Sequence, residues 1–229
     1  MSLTLYYHPL ASYCHKVLIA LYEHGAPFDK RLIDLGDPAD RAELSAIWPL
    51  AKFPVLRDAV RQRDLPESSI IIEYLDRFHA GAGRLIPDDW DTAFDVRQWD
   101  RFFDNHVQGP MQAIVAHRLS GAGGVPEKDY VALAAAYGVI DSRLASRQWA
   151  AGDAFSMADC AAAPALFYAV TLEAIPAAAV NLAAYFERLM DRPSVRRVIE
   201  EARPYFGMYP FAHAIAPRFL HGETGQAGR

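Results

Sequence analysis

The sequence predicts an α/β domain followed by an all-α domain. Three observations carry that expectation. Short β-prone segments occur only in the first third of the chain. A break punctuated by glycine and proline, Ala80-Gly81-Ala82-Gly83 and then Pro87, follows the last mixed element. Beyond it the chain is rich in alanine, keeps helical periodicity and offers no convincing strand.

Each element has its own reason. Leu3-Thr4-Leu5-Tyr6-Tyr7 is an aliphatic and aromatic run that favours a strand. His8-Pro9-Leu10-Ala11 ends it. From Ser12 onward Val17, Leu18, Leu21 and Tyr22 recur at helical spacing, and Gly25 stands at the usual stop position with Pro27 beyond. Residues 28–33 read as a second strand, and 39–47 as a short helix that halts before Pro49. Residues 54–57 and 61–65 read as two short strands joined through Asp58-Ala59. Ile71, Tyr74, Leu75 and Phe78 mark a helix over 67–78. The order βαβ then ββα is thioredoxin-like, which assigns residues 1–80 to that domain, 81–89 to a linker and 90–229 to the helical domain. In the helical domain a long stretch over 89–119 should kink at Gly109-Pro110. Gly121-Ala122-Gly123-Gly124 interrupts it, and helices follow over 127–146, 157–169 and 181–190, with a shorter one after Pro193. Residues 222–229 read as a frayed tail.

Composition narrows the function. Hydrophobic residues make up 52% and charged residues 22% of the 229, enough to bury a core. A formal charge of −5 with no Lys/Arg stripe argues against nucleic acid as partner. No apolar stretch reaches membrane-spanning length, and Met1-Ser2-Leu3-Thr4 does not open a secretory signal. Cys14 and Cys160 are too few for a disulfide scaffold, so a reducing cytoplasm is expected.

Two segments suggest a ligand. In Lys52-Phe53-Pro54-Val55-Leu56 a proline opens a strand, which marks either an ordinary edge or a cis bond. A cis bond would leave the Val55 backbone free to pair with an extended peptide. Glu67-Ser68-Ser69 opens a helix. This is either plain capping or a site where the helix amides and Ser68 take a carboxylate while Glu67 takes an α-amino group. Together the two fit a ligand with an amino-acid head and a peptide-like body, such as glutathione.

Lys52-Phe53-Pro54-Val55-Leu56 followed by Glu67-Ser68-Ser69-Ile70-Ile71-Ile72-Glu73-Tyr74-Leu75 resembles the glutathione site of cytosolic glutathione transferases, the plant tau-type and related bacterial members above all. Ala151-Gly152-Asp153-Ala154-Phe155-Ser156-Met157-Ala158-Asp159 resembles the capping-box segment that opens their buried core helix. The likeness covers nearly the whole chain. It implies that Pro54 is the cis proline and that Val55 pairs with the cysteinyl unit. Glu67 and Ser68 would hold the γ-glutamyl head, and Lys52 would lie near the glycine carboxylate with a basic side chain from the Lys30–Arg41 region, such as Arg41. Phe53 completes that segment. It also implies a homodimer that uses glutathione as co-substrate against a small apolar electrophile, with no metal.

The thiolate of glutathione would need a donor at the entry to the first helix. The family's usual Ser or Cys slot falls here on Ala11, with Ser12 one place on. Ser12 is therefore the first candidate and Tyr13 the second, with Ser12 as a simple helix cap the alternative. The stretch also resembles a Cys-Pro-Tyr-Cys redox motif whose first cysteine is lost. Cys14 and His15, adjacent on a helix, do not face each other, and Cys14 reads as structural. Leu10, Phe102, His106, Met111 and Tyr168 are the candidate electrophile pocket, with Trp99 and Phe103 read as pocket or core. A glutathione-dependent isomerase, or a non-catalytic binding module of the same fold, are the alternative functions.

Overall fold

Residues 2–81, 83–121 and 123–222 are described by a computed structural model. Strand β1 (Leu3–Tyr7) lies parallel to β2 (Phe28–Leu32) and antiparallel to β3 (Val55–Asp58), which pairs antiparallel with β4 (Arg63–Pro66). The sheet order is β2-β1-β3-β4. Alternation along β1 divides the interior. Leu3 and Leu5, the latter opposite Leu56, face the large core under α1 (Ser12–His24) and α3 (Ser68–Phe78). Tyr6 and Val55 face a small second core with Ile33 and Leu44 of α2 (Pro38–Ile47). Helix α1 is buried from Cys14 through Leu21 because it is covered by the sheet, by α3 and by helices of the C-terminal domain. Gly25 ends it at φ 60°, a left-handed conformation glycine adopts without strain.

Several element starts differ from expectation by a residue or two, and two of these differences bear on the site. Pro54 stands outside β3, which fits a residue with no N–H to give the ladder. Glu67 stands outside α3, in a conformation no helix uses.

The C-terminal domain is helical. Its helices are α4 (Trp90–Phe102), α5 (Gly109–Leu119), α6 (Glu127–Leu144), α7 (Met157–Ala169), α8 (Val180–Asp191), α9 (Pro193–Ala202) and α10 (Pro217–His221). The expected long helix is interrupted before Gly109-Pro110 rather than bent at it. Residues 103–108 form a π-helical turn, and the Gly109 N–H donates five residues back to the Asp104 carbonyl. Pro110 has no N–H and its ring crowds the preceding turn, so the wider turn absorbs the conflict. Helix α7 is buried along its whole length, and its run of alanines lets α1, α4 and the π turn pack closely on it. The capping box at its start is formed. The Asp159 carboxylate accepts from the Ser156 N–H at 2.9 Å, and also from the Tyr185 hydroxyl at 2.5 Å and the Ala150 N–H at 3.0 Å.

Beyond α9 the chain makes two 3-10 turns, over 203–208 and 212–214, before α10. This stretch carries Phe206, Tyr209 and Phe211 onto the core and α10 adds Phe219, packing that no sequence periodicity announces. Of the tail expected at 222–229, only Gly222 belongs to the described residues.

Candidate functional site

A cavity of about 680 Å³ opens between the start of β3, the start of α3, and α4 with the π turn. Lys52, Phe53, Pro54, Glu67 and Ser68 line it together. The Phe53–Pro54 peptide is cis. Val55, expected to meet the ligand, is instead wholly buried, paired with Tyr6 and Pro66 across the sheet, and does not line the cleft. Glu67 is held at φ 71° and ψ 111°, a region that costs a residue with a Cβ roughly 1–3 kcal/mol. Immediately after it the first-turn amides of α3 have no acceptor within the helix.

A charge cluster forms the cleft wall opposite. Lys16, almost wholly buried, reaches Asp100 at 2.6 Å, Asp104 at 2.8 Å and the Ser69 hydroxyl at 2.8 Å. The Ser69 hydroxyl donates to Asp100 at 2.8 Å. Arg101 closes the cluster from the solvent side, at 2.7 Å from Asp100 and 2.5 Å from Asp104. Burial pushes the Asp104 carboxyl above its usual range, with Asp100 adding to the rise and Lys16 opposing it. Next to this, Arg97 forks onto Glu73 at 2.9 and 3.1 Å. Every charged group in the cleft is thus paired within the protein except Glu67 and Lys52, which have no partner among the described residues.

The turn into α1 lies beside the cleft. Tyr13 lines it, and burial pushes its hydroxyl up to about 12, so it stays protonated and able to donate. Ser12 is buried, accepts from the Gln108 side-chain amide and does not line the cleft. Ala11, at the cap position, gives no side-chain cap. Burial pushes the Cys14 thiol up to about 12 and the His15 imidazole down to about 4, which leaves both neutral and the cysteine unreactive. Nε2 of His15 meets the Pro9 carbonyl at 2.5 Å.

Comparison with known proteins places this architecture. Residues 5–83 match the family model "Glutathione S-transferase, N-terminal domain" and residues 122–193 match "Glutathione S-transferase, C-terminal domain". The chain belongs to the glutathione S-transferase family. It is 28% identical over 195 residues to glutathione S-transferase GstB of Escherichia coli strain K12, covering 80% of this chain and 91% of that one. It is 29% identical over 221 residues to FtsZ-localized protein A of Caulobacter vibrioides, covering 92% and 95%. A crystal structure of a glutathione S-transferase from Methylobacillus flagellatus with GSH bound superimposes with a TM-score of 0.75 at 26% identity, covering 86% of this chain and 98% of that one.

The transferase fold does not bring the expected electrophile pocket into this cleft. Met111 and Tyr168 are core residues, 3% and 2% exposed. Phe102 is half-buried against Trp99 and His106, His106 is exposed, and Leu10 is half-buried against the core. Trp99 and Phe103 are core. The π turn and α5 use their apolar residues against α7 and present Asp104, Asn105 and Gln112 to the cleft instead. The part of the wall they supply is therefore polar where an apolar one was expected, and Trp48, Phe53, Ile70 and Met157 give the cleft its apolar surface. Arg41 bonds the Leu35 carbonyl and lies outside the cleft lining. Sequence reasoning missed Lys16, Ser69, Asp100, Arg101 and Asp104. One signal was available: a lone lysine amid Val17, Leu18 and Ile19 needs a buried counter-charge.

Proposed function

We propose that this transferase binds glutathione in the cleft and transfers it to a small electrophile. The observation that carries the reading is that, among the described residues, Glu67 and Lys52 have no charged partner in a cleft where the other charges are matched. A γ-glutamyl head offers an ammonium to Glu67 and a carboxylate to Ser68 and the first-turn amides of α3. The far carboxylate offers a partner for Lys52. The cysteinyl main chain between them would run along the cis Phe53–Pro54 peptide, which lines the cleft. The thiol then comes to the start of α1, where the helix amides and the Tyr13 hydroxyl favour its thiolate, with Ser12 a second donor if its proton turns outward. The thiol proton leaves to solvent, the sulfur forms a bond to the electrophilic carbon, and the leaving group departs with its electron pair.

Exposed Ile70 and Phe78 on α3, with Trp90 and Phe94 one turn apart on α4, support a homodimer that covers them. A second reading, a glutathione-binding module without turnover, is favoured by Ala11 at the cap position and by the similarity to FtsZ-localized protein A. Calorimetric titration with glutathione tests the main reading, and no heat at about 10 mM ligand overturns it. Binding without turnover of chlorodinitrobenzene or other standard electrophiles selects the second.

A further inference from the structure

The turn between β1 and α1 is held by three hydrogen bonds. The Ala11 N–H donates to the His8 carbonyl at 3.0 Å. The Leu10 N–H donates to Nδ1 of His8 at 3.2 Å, and His15 holds the Pro9 carbonyl. The Leu10 bond needs a specific state of His8, since an imidazole nitrogen accepts only when it carries no proton. The same ring stacks on Phe53, with centroids 5.9 Å apart and planes 19° from parallel. Tyr205, from the turn after α9, meets it edge-on at 6.3 Å. One side chain therefore touches both the turn that presents the start of α1 and the aromatic wall of the cleft beside Pro54.

We propose that His8 is a positioning residue of this cleft: its unprotonated Nδ1 holds the turn into α1 while its ring packs on Phe53, so protonation of His8 breaks the Leu10 bond, loosens the turn and weakens ligand binding. The proposal rests on the glutathione reading above. The groups that face His8 are few. Asp34, in the turn after β2, favours the charged ring, whereas burial disfavours it more and lowers the pKa below the ordinary value of about 6.5. His15 interacts with His8 through space but is neutral, the Cys14 sulfur lies at the His8 backbone as a thiol, and Tyr205 presents a ring edge. Because the folded state favours neutral His8, the turn is intact at neutral pH and is lost as pH falls through the lowered value.

The test combines nuclear magnetic resonance of the free protein with glutathione calorimetry at about pH 7.5 and about pH 4.5. The Leu10 amide resonance should move with the titration of the His8 ring. Across the interval the parent should lose about tenfold more affinity than His8→Asn, whose side-chain oxygen can accept the same N–H two residues on without titrating. His8→Phe keeps a ring on Phe53 but has no acceptor, and should bind weakly at both pH values. A Leu10 amide that ignores the His8 titration, or parent and His8→Asn profiles that run parallel, overturns the role of His8 while leaving glutathione binding in place. A parent that binds no glutathione at about pH 7.5 overturns the glutathione reading and the role of His8 with it.

Discussion

Glu67 joins backbone strain to an unpaired charge. Its left-handed φ is tolerated because α3 and β4 fix the chain on either side, and its side chain makes no cap bond to α3. Glu67→Gln should lower glutathione affinity by about 1.5–3 kcal/mol, the worth of a hydrogen bond to a charge, while leaving the melting temperature unchanged. Calorimetry beside thermal melting checks both halves. At the start of α1 the two hydroxyls separate by pH. Tyr13 is protonated throughout the working range, so its effect is donation alone. Tyr13→Phe should raise the apparent pKa of bound glutathione and lower the conjugation rate near neutrality, with partial recovery as pH rises. Each pKa unit corresponds to about 1.36 kcal/mol of lost thiolate stabilisation. Cys14→Ala should leave that profile alone and cost only packing. A Tyr13→Phe profile superimposable on the parent, with a displaced one for Ser12→Ala, returns the role to Ser12.

At the scale of elements, the buried helix α7 depends on its first turn. Asp159 is wholly buried and is tolerable there because donors from Ser156, Ala150 and Tyr185 surround it. Ser156→Ala removes one side of the box and should lower stability by about 1 kcal/mol without altering glutathione affinity. An unshifted melting temperature would show that the box contributes nothing. The linker has a steric constraint of its own. Any Cβ at Gly81 would overlap the His24 carbonyl at the end of α1. Gly81→Ala should cost about 1–3 kcal/mol, because backbone cannot yield as a flexible side chain can. Thermal or urea melting measures it.

Over the whole molecule, the two domains are joined by buried charge as well as by apolar packing. Lys16 of α1 and Ser69 of α3 meet Asp100 of α4 and Asp104 of the π turn. Lys16→Met would leave two buried carboxylates with only the half-exposed Arg101 and the Ser69 hydroxyl as partners and should cost up to about 3 kcal/mol at neutral pH. The sign with pH follows from the raised pKa of Asp104. A carboxyl raised in the folded state destabilises the fold when ionised, and that penalty vanishes as pH falls through its folded value. The gap between variant and parent should therefore narrow towards acid pH, as melting curves across pH would show. Light scattering at micromolar concentration should give a dimer mass, and Trp90→Asp with Phe94→Asp should give a monomer, if the exposed face of α4 is where copies meet.

Much of the fold was legible in the sequence for local reasons. Strand and helix in the first 80 residues follow from β-prone runs, Gly25 and the helical spacing of Ile71, Tyr74 and Leu75. The Ser156–Asp159 box and the cis Phe53–Pro54 bond lie within motifs a few residues long, as does the grouping of Lys52 through Pro54 and of Glu67 with Ser68. What the sequence could not determine depends on contacts between distant residues. Whether Lys16 is buried depends on residues 84 and 88 places further along, and whether Ser12 faces the cleft depends on Gln108. The aromatic candidates on α4 and in the stretch after it share helical spacing with core and cleft positions alike, and the π turn at 103–108 decided which became which. That decision belongs to packing against α7, since a helix pattern specifies its faces while only the neighbouring elements specify what each face meets.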